Sequence, residues 1–340
     1  MQKRVVVITG GSGYIGSVLT PLVAQAGYNV RILDRFFFGD SVTDSPDIEK
    51  IRIDSRNIES DHIRDAYAIL DLAAISNDPA GELDPVKTLD INYRARRRLQ
   101  EMASEVGVDR YVLASSCSVY GFHDGILDEN SPTNPLTTYA EANLKSEESA
   151  LELHRRGIDM AVVLFRQATM YGLSPRMRFD LAVNAMTLGL WQDGSIPMLR
   201  DGEQWRPMIH IRDTSKAFIA ALSAEKGQIA GERFNVGSNA QNYQVSKLGE
   251  LVAEGVGKEF KFSWYGAPDH RSYKVNFDKI RDVLQFQPDW TPDRGAREIA
   301  QALETGKVKA DLKTKTLAWY SELIEWNKKI QELAPDGHIL

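Results

Sequence analysis

Short β-branched runs alternate with stretches of helical periodicity along the first half of the chain. Of all the features of the sequence, this alternation most strongly restricts which folds are possible. The runs predict strands at 5–8, 30–33, 51–53, 69–72, 111–114 and 161–165, and the stretches between them predict helices that include 14–26, 86–106 and 139–156. Parallel strands need crossover connections, which are usually helices. We therefore predict an α/β fold with a doubly wound parallel sheet covered by helices on both faces.

The regular alternation ends after Tyr171-Gly172, which predicts a domain at 1–172 and a smaller C-terminal lobe mainly at 173–340. Helices of this lobe are predicted near 179–190, 245–254, 276–284, 294–303 and 312–333. Residues 205–223 read as another strand followed by a helix. We therefore expect 205–235 to return to the first sheet.

Composition and charge exclude several classes of function. The 340-residue chain has a net charge of -6, and its one basic cluster is Arg94, Arg96, Arg97 and Arg98, which argues against nucleic-acid binding. The longest apolar runs are far shorter than the ~18 residues of a membrane span, and no secretory segment is visible, so we expect a cytoplasmic protein with no membrane partner. The single cysteine, Cys117, and six histidines without paired spacing predict no metal site.

A glycine-rich turn follows the first predicted strand. It reads Thr9-Gly10-Gly11-Ser12-Gly13-Tyr14-Ile15-Gly16, which is GxxGxxG at a strand-to-helix boundary. Glycines there permit a tight turn and close approach of a pyrophosphate, while the helix N-terminus offers N–H groups to phosphates. Asp34 lies at the end of the second strand, where its carboxylate can accept both hydroxyls of an adenosine ribose. Together these features predict a Rossmann-type dinucleotide-binding domain.

The same carboxylate bears on which dinucleotide binds. Asp34 favours NAD over NADP, because a carboxylate at the ribose would repel a 2′-phosphate. Arg35 keeps NADP as the alternative, since a guanidinium at that position could bind the phosphate. Asp54 follows the third strand and is a candidate either to accept a hydrogen bond from the adenine amino group or to cap a turn.

Taken in order, these and further motifs resemble the extended short-chain dehydrogenase/reductase family, in its sugar-nucleotide epimerase and dehydratase branch, over nearly the whole chain. The further motifs are Leu72-Ala73-Ala74, Asn92, Ser115 to Gly121, Tyr139, Arg166 to Gly172, Arg206 to Asp213, Phe234 to Gly237 and Asp269 to Tyr273. The resemblance implies an NAD-binding domain at 1–172 and a substrate-binding lobe at 173–340. It implies a dinucleotide site that includes Gly10, Gly13, Tyr14, Ile15, Gly16, Asp34, Asp54, Leu72, Ala73, Ala74 and Asn92.

The resemblance also places Tyr139 beside the nicotinamide as the acid/base, and Ser116 as the hydrogen-bond donor to the reacting oxygen of the substrate. A phenol with a pKa near 10 needs nearby positive charge to act at neutral pH, and the family supplies it from a lysine four residues after the tyrosine. Here that position holds Asn143, which is expected to bind the nicotinamide ribose but not to lower the tyrosine pKa by charge. Lys145 lies about 240° round the helix from Tyr139 and is not expected to substitute.

The loop before Val119 bears on the reaction. Ser116-Cys117-Ser118 stands where dehydratases of this branch carry Thr-Asp-Glu, so 4,6-dehydration is disfavoured, and Cys117 is expected to be a small buried residue. The resemblance therefore implies an NAD-dependent epimerase that acts on a nucleotide-diphosphate sugar by reversible oxidation of a carbinol. A nucleotide-sugar dehydrogenase or ketoreductase is one alternative, and a catalytically weak dinucleotide-binding sensor or scaffold is another.

The remaining expectations concern the substrate and the assembly. Arg206 and Arg271 match family positions that pair with a nucleotide diphosphate, and Asn184 is added from the helix that opens the second lobe. His210 is expected to be a structural hydrogen-bonding residue. The stretches 86–106 and 139–156 pack as a four-helix bundle in this family, which implies a homodimer. Phe36-Phe37-Phe38 is a candidate to cover the adenine or to meet a partner chain.

Overall fold

The computed structural model describes residues 3–267 and 272–334. Within them the strands are β1 (Val5–Thr9), β2 (Asn29–Asp34), β3 (Ile48–Arg52), β4 (Ala66–Asp71), β5 (Arg110–Ser116), β6 (Ile126–Leu127), β7 (Ala161–Gln167), β8 (Thr169–Tyr171), β9 (Ile196–Leu199), β10 (Trp205–His210), β11 (Glu232–Val236), β12 (Asn242–Gln244), β13 (Phe262–Tyr265) and β14 (Lys274–Val275).

The helices follow the strands closely in sequence. They are α1 (Gly16–Gln25), α2 (Asp78–Gly81), α3 (Pro85–Leu89), α4 (Arg96–Glu105), α5 (Thr138–Arg155), α6 (Ala182–Gln192), α7 (Ile211–Ser223), α8 (Lys226–Ile229), α9 (Val245–Val256), α10 (Asp278–Leu284), α11 (Pro292–Glu304) and α12 (Thr316–Leu333). A π-helical turn, Asp90–Ala95, joins α3 to α4 within the predicted helix 86–106. This turn matters for the site because a π-helical turn shifts the helical phase of the residues that follow it.

The central sheet has seven parallel strands in the order β11-β7-β5-β4-β1-β2-β3. Its inner strands are buried on both faces, and for this reason their sequences are runs of β-branched and apolar residues rather than alternating patterns. One face packs against α1 and α7 through residues such as Leu19 and Phe218, and the other packs against α4 and α5 through residues such as Leu99 and Leu151. The predicted doubly wound α/β fold is confirmed.

The chain leaves the central sheet after β7 and comes back to it with β11. Between them, β10 pairs with β8 and β12 in a separate three-stranded sheet, so the expected return of 205–235 is made by β11 and not by the strand at 205–210. A third apolar core lies among α6, α9 and α11 and includes Leu190, Leu248 and Ala296. None of the helices in the described part of the chain is long and apolar enough to cross a membrane.

Candidate active site

A cavity of about 1220 Å³ opens at the carboxyl ends of the central strands. The loops after β1, β2, β4, β5 and β7 all contribute to its lining, and residues of the second lobe close the opposite side. Ligands of open parallel sheets bind in this position because loops from neighbouring strands converge there. The volume exceeds the ~300 to 1000 Å³ usual for one small ligand, so a dinucleotide and a second ligand can share it.

The glycine turn forms one end of the cavity. Gly10 has a φ of +68°, a conformation that side chains rarely permit, and its N–H donates to Leu33 O at the end of β2 at 2.9 Å. A Cβ on Gly16 would lie 2.4 Å from Gly10 O, so only glycine lets α1 begin this close to the turn. Gly10, Gly13, Tyr14, Ile15 and Gly16 all line the cavity, as expected.

The hydroxyl of Tyr14 connects this turn to the second lobe by hydrogen bonds. Its hydroxyl donates to Gly172 O at 2.8 Å and accepts a hydrogen bond from Asn184 Nδ2 at 3.1 Å. Burial raises the pKa of the Tyr14 phenol above its ordinary value, so it stays a hydrogen-bonding group rather than an anion.

Asp34 lies beside the turn with its carboxylate held by the backbone. Oδ2 accepts from Ser12 N at 2.9 Å, and Oδ1 accepts from Phe36 N at 2.6 Å. Burial raises the pKa of the carboxyl above its usual value, and these two hydrogen bonds lower it in part. The carboxylate is therefore fixed in orientation at the wall of the cavity, where hydroxyl donors of a ligand can reach its remaining lone pairs.

Asp54 and Arg35 also reach the cavity, but they contact each other. Arg35 Nη1 lies 2.7 Å from Asp54 Oδ2, and Arg56 Nη2 lies 2.7 Å from the same oxygen. Hydrogen bonding from Arg56 lowers the pKa of Asp54 to about 2. Asp54 Oδ1 also accepts from Arg56 N and so caps the turn Ser55–Asn57. Turn capping is thus present in the structure, and a contact with adenine would be made by a carboxylate that already has two cationic partners.

The aromatic run after Arg35 meets the last helix of the described chain. Phe38 packs against Tyr320 with ring centroids 5.5 Å apart, and Trp319 Nε1 donates to Phe37 O at 3.0 Å. Tyr320 and its neighbours Leu323, Ile324, Asn327, Lys328 and Gln331 line the cavity. Helix α12 therefore covers the Asp34 end of the cavity, a contribution that the sequence analysis missed.

The loop after β4 forms the floor between the two ends. Leu72, Ala73 and Ala74 line the cavity, as expected. Asn92 is fully buried and does not line it. Its Oδ1 accepts from Ile75 N at 2.8 Å and its Nδ2 donates to Ile75 O at 2.9 Å. Both amide atoms are used by the loop, so Asn92 holds Ile75 in position at the wall of the cavity.

Ser116 and Tyr139 meet at the other end of the cavity. Ser116 ends β5, and its Oγ accepts from Ser118 N at 3.1 Å, which caps the turn Cys117–Tyr120. Tyr139 lies in the first turn of α5, whose N-cap is Thr137. Burial raises the pKa of the Tyr139 phenol, and hydrogen bonding with Asn143 and Ser116 lowers it in part. The structure therefore brings the two predicted reacting residues together.

Asn143 lies one helical turn after Tyr139 and is fully buried. Its Nδ2 donates to Tyr139 O at 3.1 Å, and its Oδ1 accepts from Arg96 Nη1 at 3.0 Å. Lys145 is 43% exposed and pairs with Glu141 at 2.9 Å, so it does not replace the missing lysine, as expected. A buried cation is nonetheless present, and it comes from another helix.

Cys117 and His210 are both predicted to be structural residues, and both are buried in the structure. Cys117 is buried and its thiol lies 3.3 Å from Arg166 O, and burial raises the pKa of the thiol above its ordinary value. His210 is buried, stacks on Trp290 with ring centroids 4.1 Å apart and lies 3.3 Å from Glu298. Burial lowers the pKa of this imidazole, so it contributes packing and hydrogen bonds.

The predicted substrate residues fall in three different places. Arg206 lines the cavity, with Nη1 donating to Trp205 O at 2.8 Å. Arg271 lies outside the described residues. Asn184 is fully buried and does not line the cavity, because its Oδ1 accepts from Gly172 N and its Nδ2 donates to Tyr14 and to Arg178 O. These hydrogen bonds join the glycine turn to the second lobe, and the role of Asn184 toward substrate stays a prediction.

Two further arginines of the cavity wall were missed. Arg176 lies 3.6 Å from the ring centre of Phe38 and donates to Thr316 Oγ1, and burial lowers its pKa to about 10. Arg178 pairs with Asp180 at 2.9 Å and donates to Ser76 Oγ at 3.2 Å. Their sequence signal, Arg-Met-Arg-Phe-Asp, has no periodicity that marks it as a lining segment, since it lies in a loop before α6.

The residues present fit a dinucleotide. A side chain on Gly13 would fill the cradle at the start of α1, next to Gly10 O at 3.1 Å. The N-terminus of a helix lies behind the same cradle and suits an anionic pyrophosphate. The Asp34 carboxylate lies at its side, where it can accept hydrogen bonds from the hydroxyls of a ribose.

The family model described as the NAD dependent epimerase/dehydratase family matches residues 6–237. The UDP-glucuronate 4-epimerase of Thermodesulfobacterium geofontis is 24% identical over 346 residues, which cover 95% of this chain and 98% of that protein. The dTDP-glucose 4,6-dehydratase of Streptomyces niveus is 24% identical over 348 residues, which cover 94% of each. The solved structure of MoeE5 in complex with UDP-glucuronic acid and NAD is 26% identical, with a TM-score of 0.79, and the match covers 88% of this chain and 99% of that one.

Proposed function

Because this chain belongs to the NAD dependent epimerase/dehydratase family, we propose that it is a UDP-sugar 4-epimerase that works by reversible oxidation at C4 of the hexose. Membership confirms the predicted NAD cofactor and the predicted class of enzyme. One observation carries the proposal: a single cavity joins the glycine turn and Asp34 to the Ser116–Tyr139 pair. The uridine nucleotide and C4 follow from the relatives, a UDP-glucuronate 4-epimerase and a protein solved with UDP-glucuronic acid.

Gly10, Gly13, Asp34 and the start of α1 would hold the cofactor, with Ala73 and Ala74 beneath it. When bound, NAD supplies a hydride acceptor that can return the same hydride. The Asp34 end of the cavity would take the adenosine ribose, and the Ser116–Tyr139 end would receive the nicotinamide together with the sugar.

Tyr139 takes the proton of the C4 hydroxyl as the C–H bond at C4 of the sugar breaks. It returns that proton when the C4 ketone is reduced on the opposite face. Ser116 donates a hydrogen bond to the reacting oxygen and so keeps it beside the phenol in both steps. Protons and electrons balance over the cycle, and no net oxidant is consumed. Because C4 must present both faces in turn, the sugar has to rotate within the cavity, whose volume exceeds that of a single tight pocket.

Dehydration is not favoured by the loop that follows Ser116. Cys117 is buried with its thiol against Arg166 O, and Ser118 carries a hydroxyl, so neither position supplies a carboxylate to remove water from C5 and C6. The Ser118 Oγ has no hydrogen-bond partner within residues 3–267 and 272–334, and Ser118 lines the cavity. A buried hydroxyl without a partner is unfavourable, which makes Ser118 a candidate to bind a sugar hydroxyl.

We also propose that the chain is a homodimer that pairs α4 and α5 with their symmetry mates. The outward residues of these helices carry charges of both signs, with Arg97 and Glu101 on α4 and Glu141 and Lys145 on α5, so two copies can pair without net repulsion. Light scattering is expected to give twice the chain mass, and a monomer at micromolar concentration would contradict the assembly.

A cytoplasmic location belongs to the same proposal, because the one cysteine is buried and free and needs no oxidising compartment.

The test is direct observation of the product. We expect the purified protein with NAD to convert UDP-glucose, UDP-glucuronic acid or UDP-N-acetylglucosamine to its C4 epimer, detected by proton NMR of the anomeric signals. Accumulation of NADH with an oxidised sugar would favour the dehydrogenase alternative. Binding of these ligands without any conversion would favour the sensor or scaffold.

A further inference from the structure

Arg96 places a buried positive charge beside the first turn of α5. It is the first residue of α4 and is 3% exposed, whereas its neighbours Arg94, Arg97 and Arg98 are exposed. Its Nη1 donates to Asn143 Oδ1 at 3.0 Å, and Nη2 lies 3.5 Å from Ala114 O in β5. Arg96 also lines the cavity that contains Tyr139.

The guanidinium has one ionic partner among the described residues, and the contact between them is long. Its Nε lies 3.7 Å from Asp71 Oδ2 and makes no hydrogen bond with the described part of the chain. The Asp71 carboxylate already accepts from Thr9 Oγ1 at 2.6 Å and from the Tyr111 hydroxyl. Arg96 and Asp71 therefore form a buried ion pair without a direct hydrogen bond, and the closest hydrogen-bond partner of the guanidinium is the neutral amide of Asn143.

We propose that Arg96, held by Asn143, supplies from α4 the positive charge that relatives with a YxxxK motif obtain from a lysine at position 143. This inference rests on the proposed role of Tyr139 as the acid/base. Arg96 is a positioning residue in this account, because it acts on the ionisation of Tyr139 and Asn143 connects the two. The two positions are matched: an amide oxygen at 143 accepts from a guanidinium, whereas a lysine there would repel it.

The charges around Tyr139 agree with this direction. Burial raises the pKa of the phenol, Asp78 on α2 raises it further, and Arg96 lowers it. Arg178 approaches from the loop before α6, but its charge is paired with Asp180 at 2.9 Å. On α5 itself, Lys145 is exposed and paired with Glu141. Among the cations Arg96 is the buried one with the longest ionic contact, so its removal should raise the pKa of Tyr139.

The test measures the pKa of Tyr139 directly, by the Cζ shift of 13C-labelled tyrosine in the NAD-bound protein, with the signal assigned by its loss in Tyr139→Phe. We expect Arg96→Met to raise this pKa by about one unit and to lower the activity below the pKa about tenfold. Arg96→Lys should retain part of the effect. Arg110→Met is the matched control, since Arg110 is also buried, pairs with Asp109 and does not line the cavity.

Swapping the charge back to α5 separates electrostatics from packing. Asn143→Lys alone should destabilise the protein, because it buries a second cation against Arg96. The double variant Arg96→Met/Asn143→Lys should fold and return the Tyr139 pKa toward the wild-type value. A pKa unchanged in Arg96→Met, or equally raised in Arg110→Met, would overturn the inference. So would a folded double variant whose pKa stays as high as that of Arg96→Met. The titration needs no substrate, so it stands even if no UDP-sugar is converted.

Discussion

Asp34→Asn tests the cofactor site with little change in shape. Asn keeps the size of the side chain and one acceptor, but it removes the charge from a group whose oxygens are fixed by Ser12 N at 2.9 Å and Phe36 N at 2.6 Å. Hydrogen bonds to a charged group contribute about 1.5 to 3 kcal/mol, against about 0.5 to 1.5 for neutral pairs. For two ribose hydroxyls the loss is about 2 kcal/mol, which weakens NAD binding about 30-fold.

The same substitution should narrow the preference for NAD over NADP, because it removes the charge that repels a 2′-phosphate. Isothermal titration of both dinucleotides at neutral pH measures the two effects together. Asp44→Asn is the control, since Asp44 is a neighbouring acid that is 97% exposed. Its one salt bridge within the described residues is with Lys50. An NAD affinity within twofold of wild type, or a wild-type preference for NADP, would refute the assignment of Asp34.

Three more substitutions are predicted. Gly13→Val should abolish NAD binding, measured by titration, because its side chain fills the cradle beside Gly10 O, whereas Gly125→Ala, with open space around it, should bind normally. Tyr139→Phe should lower turnover about 10³-fold and leave the NAD dissociation constant nearly unchanged, since only the proton carrier is lost. Asp54→Asn should lower the free energy of unfolding by about 1 to 2 kcal/mol at pH 7 in urea. The native pKa of Asp54, about 2, lies below the ordinary value, so the carboxylate stabilises the wild-type protein above pH 4. The difference in the free energy of unfolding between the wild type and Asp54→Asn should therefore shrink as the pH falls toward 2.

The fold could be predicted from the sequence because its signals are local. Buried parallel strands are continuous apolar runs, and the strand at 5–8 and the helix at 139–156 lie within a residue or so of β1 and α5. The glycine turn, Asp34 and Ser116 could be placed for a related reason. Each follows directly from the end of a parallel strand, and such ends meet at one edge of the sheet.

The rest of the site depends on tertiary packing. Arg96 stands in a run of arginines that resembles a solvated surface, and only the π-helical turn before it and the packing of α4 on α5 direct it inward. The amides of Asn184 and Asn92 bind backbone groups of neighbouring loops, and residue type alone does not reveal these contacts. Helix α12 reaches the cavity from the far end of the chain, and no local pattern predicts that contact.

The most direct test of the account follows the hydrogen at C4 during turnover. A UDP-hexose carrying deuterium at C4 is incubated with the protein and NAD in ordinary water, and the epimer is examined by NMR and mass spectrometry. Reversible oxidation with return of the same hydride predicts that the epimer retains deuterium at C4, with no net NADH. An epimer that carries hydrogen from water at C4 would contradict the mechanism built on Tyr139 and NAD.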